Sequence, residues 1–258
     1  MNPEISVIIP TFNRQKYISR AIRSILNQSI SKDLYEIIVI DDGSTDNSIS
    51  IIKLFVKKSK SKKLIIKRNT KINSHSIIYL NSIIGENSII GHNVLVREET
   101  IIENNVQIGS FSDIEGYCLI ESYSKLHSNV HIGQGSKVLS YSWLFPYVIL
   151  TNDPIPPSNI MDGVIIEPFS VVCTRSTVLP GKTLGFGSFV GANSLVNINL
   201  KPETIGSGNP FKQRGNISLI KIPNEQKSAY PWTTRFNKDY PKNIEEIYIN
   251  LKKKYIKS

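Results

Sequence analysis

Two histidines four residues apart, His127 and His131, are the side chains of this 258-residue sequence best placed in type and spacing to move protons. An imidazole titrates near neutral pH, so either ring can take a proton from a hydroxyl group. Their alternative role is that of ordinary outward polar residues. His75 and His92 complete the histidine set, and nothing in their surroundings singles them out. Cys118 and Cys173 give no disulfide framework, and neither they nor the histidines have metal-ligand spacing, so no metal site is expected.

What positions the two rings is a repeat. Every sixth residue from Ile84 to Leu150 is aliphatic, and two positions before each stands a small residue, as in Ser82, Ser88 and Val94. Neither a helix nor an ordinary strand has that period, but a coil of three short strands with corners every six residues does. The aliphatic side chain fills a triangular prism and the small one fits where the chain bends. Cys118 falls on a small position and reads as core filler. The register lapses from Thr151 to Val164 and resumes at Ile166, which marks a parallel β-helix with one loop pushed out. His127 and His131 flank the hexad Leu126–Ile132, one coil before that loop. Three hexads make a coil, so His127 lies under Phe145 and His131 under Ile149.

This register is the hexapeptide repeat, and the chain resembles the left-handed β-helix acyltransferases. Residues 144–154, LFPYVILTNDP, resemble the "TND" segment of sugar acetyltransferases from surface-polysaccharide pathways, and GKTLGFGSFVGANSLV and SGNPFK resemble their closing coils. The likeness covers roughly residues 76–215. It implies transfer of acetyl from acetyl-CoA to an amino or hydroxyl group of a sugar, usually by a homotrimer with clefts between subunits. Asn152 then positions the acceptor, and Asp153 either joins the chemistry or shapes the turn. A related branch has a catalytic histidine where Asn152 or Asp153 stands. Its absence tilts the expectation toward an amino sugar, unless His127 or His131 reaches the cleft. The resemblance places CoA along Thr174, Gly187, Gly191 and Ala192, with Lys212 and Arg214 near its phosphates or simply exposed to solvent.

The first seventy residues differ. A strand ISVIIP, a turn, an amphipathic helix over about Gln15–Gln28, a strand Glu36–Ile40 and a second helix open an α/β sheet. They resemble the start of family 2 glycosyltransferases, with DDGSTD at Asp41–Asp46. That resemblance gives Asp41 and Asp42 a role in holding a nucleotide sugar. The family's metal-binding motif and later base have no counterpart, so glycosyl transfer is not expected. A cap on the β-helix or a nucleotide-sugar-binding module is.

The formal net charge is +10, concentrated in a lysine-rich run after Phe55 and in Lys252, Lys253, Lys254 and Lys257. No nucleic-acid fold signature accompanies it. No segment is apolar enough to span a membrane and no leader is evident, so a cytoplasmic location is expected. The expected organisation is 1–70, a truncated glycosyltransferase-like module with a basic linker; 71–205, a left-handed β-helix; and 206–258, an aromatic tail with a C-terminal helix. The competing function is a non-catalytic scaffold or a nucleotide-sugar-binding partner in the same pathway.

Overall fold

The computed structural model describes residues 5–31, 34–58 and 64–256. Of the basic clusters, Lys60, Lys62, Lys63 and Lys257 lie outside the described residues. The chain opens with β1 (Ile5–Thr11), α1 (Ile18–Leu26), β2 (Tyr35–Asp41) and α2 (Ser48–Lys58). The two strands are parallel, in register from Ile5↔Tyr35 to Thr11↔Asp41.

From Ile65 onward two-residue strands wind into a parallel β-helix of three sheets; two have seven strands, and the third has nine, the last two being the antiparallel hairpin Thr204–Ser207 and Lys212–Asn216. Face 1 starts at Ile65–Ile66, face 2 at Lys71–Ile72 and face 3 at Ile77–Ile78. Strands of successive coils pair eighteen residues apart, as in Asp113↔His131↔Ile149 on face 3, except across the extruded loop, where Ile149 pairs with Thr177. The prism interior is the aliphatic register itself: from Ile84 to Val196 every such residue is at most 2% exposed. Fully burying one Ile or Val side chain is worth about 1.5–3 kcal/mol, so the stack supplies most of the fold's driving force.

The small residues do more than avoid a clash. The buried Ser88 hydroxyl donates to the Glu103 carbonyl at 2.8 Å and accepts from the Val106 amide at 3.0 Å. Ser112 and Ser176 repeat this stitch between coils. A buried backbone group left unpaired costs about 1–3 kcal/mol, so a hydroxyl here relieves the strain of turning the chain. Cys118 occupies the same position, 2% exposed, with its thiol pushed up to about 12 by burial. The residue before each of these sits in the left-handed region: Asn87, Asn93 and Asn105 have φ of 56°, 54° and 58°. Asn tolerates that region well; Phe111, Tyr117, Tyr123, Tyr141, Tyr147 and Phe169 adopt it as well.

The β-helix starts before the first clear aliphatic hexad. Ile65–Ile66 already pairs with Ile83–Ile84, inside the stretch expected to be linker. Ile66, Ile72 and Ile78 continue the inward column but are only half-buried, because no coil of described residues lies beneath them. The loop emerges as expected, with no strand between Leu150 and Ile165.

The tail and α3 (Ile244–Tyr255) form a second core on the outside of the prism. Tyr123, Tyr141 and Phe169, stacked one coil above another at the corner between faces 1 and 2, make an aromatic column with centroids 5.2 and 4.7 Å apart. Trp232, Ile244 and Tyr248 cover it. Glu203 fastens the helix, accepting from the Tyr248 hydroxyl at 2.8 Å and pairing with Lys252 Nζ at 2.6 Å. Among the described residues no helix is long and apolar enough to cross a membrane.

Candidate active site

His131 and the loop residue Asn152 meet through an acidic intermediary. His131 begins a strand of face 3 and projects outward beside Asp113, its neighbour one coil below. Imidazole Nδ1 lies 3.1 Å from Asp113 Oδ2, and Nε2 faces Glu115 Oε1 at 4.0 Å. Glu115 in turn accepts from the Gln134 backbone amide at 2.7 Å and from Asn152 Nδ2 at 2.9 Å. With Nδ1–H donated to Asp113, Nε2 keeps its lone pair and points toward the foot of the extruded loop. The hydrogen bond to Asp113 chiefly, with the Asp113 and Glu115 charges added, holds the His131 pKa above the ordinary histidine value despite partial burial. Asn152 spends its amide on Glu115 and on the Met161 sulfur, which leaves its carbonyl oxygen as an acceptor.

His127 stands apart from this group. It precedes the corner between faces 2 and 3, and its ring stacks on Phe145 at 4.7 Å and 16° with Trp143 5.8 Å away. Burial chiefly, with the nearby Lys125 charge added, lowers its pKa below the ordinary histidine value. The four-residue spacing thus delivers the two rings to adjacent faces. Asp153 is committed to the loop: its carboxylate accepts from the Ile155 and Ser158 amides and from the Ser158 hydroxyl, at 2.9, 2.8 and 2.7 Å. That Asx-type turn, together with prolines 154, 156 and 157, shapes the loop wall. His75 is an exposed corner residue, and His92 Nδ1 engages the Ser74 hydroxyl at 2.9 Å.

The residues expected to line the CoA groove fall into two groups. Thr174, Gly191 and Ala192 lie on the corner between faces 2 and 3, above His127, and Lys212 and Arg214 follow on the hairpin that closes face 2. Gly187 does not join them. It turns the corner between faces 1 and 2 at φ +61°, is buried, and sits under Tyr248 and Glu203. A β-helix sends residues four apart to different corners, so the GFGSFVGA stretch cannot present both glycines to one groove. Gly191 has a packing reason of its own, since a Cβ there would meet Ser207 Cβ at 2.9 Å. Arg214 Nε donates to Ser207 Oγ at 3.1 Å, and its guanidinium is otherwise exposed beside exposed Lys212.

In the N-terminal module Asp41 accepts from the Ser44 amide and hydroxyl, which closes its own turn. Asp42 is exposed, and its amide donates to the Thr11 carbonyl at 2.9 Å. Asn13 Oδ1 bridges across to the Thr45 amide at 2.8 Å. The two loops at the carboxyl ends of β1 and β2 are therefore zipped to one another. No group of three or more potential metal-ligating side chains occurs among the described residues.

Asp113 and Glu115 are the members of the site that the residue pattern did not suggest. The signal was present: Asp113 is one coil before His131 in the same register, and any outward acid at that offset touches it.

The family model for Glycosyl transferase family 2 matches residues 6–77. The chain is 42% identical over 67 residues to the dolichyl N-acetyl-alpha-D-glucosaminyl phosphate 3-beta-D-2,3-diacetamido-2,3-dideoxy-beta-D-glucuronosyltransferase of Methanococcus voltae, covering 26% of this chain and 21% of that protein. It is 46% identical over 69 residues to the GalNAc(5)-diNAcBac-PP-undecaprenol beta-1,3-glucosyltransferase of Campylobacter jejuni, covering 27% of this chain and 22% of that one. The chain thus spans about a fifth of the length of these relatives. Among solved structures it is similar to a putative acetyltransferase of Bacillus cereus, at 17% identity and TM-score 0.39 over 76% of this chain and 90% of the other. PerB of Caulobacter crescentus, solved with CoA and GDP-perosamine, is similar at 16% identity and TM-score 0.38, over 81% of this chain and 97% of that one.

Proposed function

We propose that this protein is an acyltransferase that moves an acetyl group from acetyl-CoA to a hydroxyl or amino group of a nucleotide-linked sugar, with His131 as general base. The observation that carries the reading is the Asp113–His131 pair, whose free Nε2 faces the loop-tethered Glu115. Asp113 fixes the tautomer and steadies the imidazolium that forms, the role a carboxylate plays beside any histidine base. The acceptor's oxygen or nitrogen attacks the thioester carbonyl while Nε2 takes its proton. Collapse then breaks the C–S bond, and the proton returns to the departing CoA sulfur, giving acetylated sugar and free CoA. Asn152, with its carbonyl oxygen open, holds the acceptor's donor group in line. The presence of a carboxylate-oriented histidine meets the need of a hydroxyl acceptor, which an amide alone could not.

Thr174, Gly191 and Ala192 would line the pantetheine arm, and Lys212 and Arg214 would pair with its phosphates. A homotrimer is part of this reading: Ile149 and Tyr147, 39% and 51% exposed near the foot of the loop, would be covered at a subunit boundary. The units proposed at the outset, an N-terminal module, a β-helix and a tail, serve this reading with the module as an accessory. Calorimetric titration with acetyl-CoA, with solution mass measured alongside, tests it. One site per subunit of a trimer, followed by sugar-dependent CoA release that His131→Ala abolishes, is the expected result. No binding at millimolar acetyl-CoA would overturn it and leave the scaffold reading.

A further inference from the structure

The tail does not seal the face it crosses. Between it and face 2 lies a cavity of about 230 Å³ walled by Trp143, Phe145, Val171, Tyr230, Trp232 and Phe236, with Arg235 beside them. We propose that this cleft binds a single pyranose ring, at a site separate from His131 and Asn152.

Three features select that occupant. The walls meet at steep angles: Trp143 to Phe236 at 77°, Trp143 to Trp232 at 69°. A flat base needs two parallel plates, whereas crossed aromatic faces suit a puckered ring that offers apolar C–H groups on more than one side. The volume is below the roughly 300–1,000 Å³ of sites for larger ligands, so one ring fits and a whole nucleotide does not. Polar groups stand beside these walls, where ring hydroxyls would emerge. Arg235 is exposed and commits Nε to the Ala229 carbonyl at 2.9 Å, which leaves its terminal nitrogens to donate. His127 lies against Phe145 and Trp143, and neither ring nitrogen has a hydrogen-bond partner among the described residues. Lys125 braces the far side, 5.0 Å from the Trp143 ring and 3.8 Å from Asp239. An isoprenoid chain would need a longer apolar furrow than these few side chains make.

The cleft adjoins face 2 and the base lies on face 3, one corner away along Ser128–Val130. A saccharide acceptor could therefore lodge one ring here while another reaches His131. That use rests on the proposed acyl transfer, but occupancy of the cleft does not.

The chain's two tryptophans, Trp143 and Trp232, both line the cleft, so tryptophan emission, excited where tyrosine does not absorb, reports on this site. The titration uses the full chain without acetyl-CoA, with methyl β-D-glucopyranoside and the methyl glycoside of N-acetylglucosamine as probes. The expected result is a saturable change in emission, with a dissociation constant of about 1 mM, the range of a small ligand of this size. Protection from acrylamide quenching should accompany it. Phe236→Ala and Phe145→Ala should each weaken binding at least tenfold while circular dichroism and melting temperature hold. Unchanged wild-type emission up to tens of millimolar glycoside would overturn the proposal and leave the tail as packing only. A response to adenosine or farnesyl phosphate without one to either glycoside would overturn it too, in favour of a flat or an isoprenoid ligand.

Discussion

At the scale of residues, the site turns on the environments of two histidines that the chain itself treats alike. Asp113 raises the His131 pKa, while burial and Lys125 lower that of His127. A general base must be deprotonated, so transfer should rise with pH through the raised His131 value and flatten above it. Asp113→Asn removes the chief cause of the elevation; the acidic limb should move to lower pH and the plateau should fall, because the ring loses its orienting partner. His131→Ala should lower kcat by about 10²–10⁴-fold, whereas His127→Ala should leave the acidic limb where it was. A pH–rate profile that stays unchanged in Asp113→Asn would remove the pair from the mechanism. The stability linkage runs the other way. A histidine whose pKa is higher folded than unfolded stabilises the fold below its unfolded value, and that contribution is lost as pH rises through the folded one.

At the scale of elements, the corners explain both what could be read in advance and what could not. The inward aliphatic and the small residue two before it announce each coil because the prism core and the hydroxyl stitch admit few alternatives. The outward positions carry no such constraint, which is why Asp113 and Glu115 do not stand out in the residue pattern and why Gly187, grouped with Gly191 by the resemblance, turns a different corner. The left-handed position before each small residue offers a direct test. Phe111 holds φ +62° with its ring 62% exposed and no ring contact among the described residues, so Phe111→Asn should stabilise by about 1 kcal/mol. Tyr141 has almost the same φ, 63°, but is 7% exposed and stacked between Tyr123 and Phe169. Tyr141→Asn should therefore destabilise by about 3 kcal/mol, the order of a large-to-small change in a core. Urea melts of the two variants should move in opposite directions. A shared direction would mean that backbone strain or stacking alone governs these corners.

At the scale of the molecule, the open question is what residues 5–58 contribute. A parallel pair such as β1 and β2 normally needs further strands and cover on both faces. Here Ile5 and Ile8 are 45% and 57% exposed, and no residue of β2 is fully buried. The same residues leave the bottom of the prism open, since Ile66, Ile72 and Ile78 stay half-buried with the module present. A module that neither completes its own sheet nor seals the first coil should add little to stability. Removal of residues 1–63 should accordingly shift the melting temperature of the remainder by less than about 4 °C, the equivalent of roughly 1 kcal/mol for a chain of that size. Residues 1–63 alone should unfold without a cooperative transition. The Asp41 turn, closed on Ser44, adds that a nucleotide sugar must displace an internal hydrogen bond to engage that carboxylate. A much larger fall in melting temperature on deletion would show instead that the module caps the β-helix, and its open sheet would then be the cost of that role.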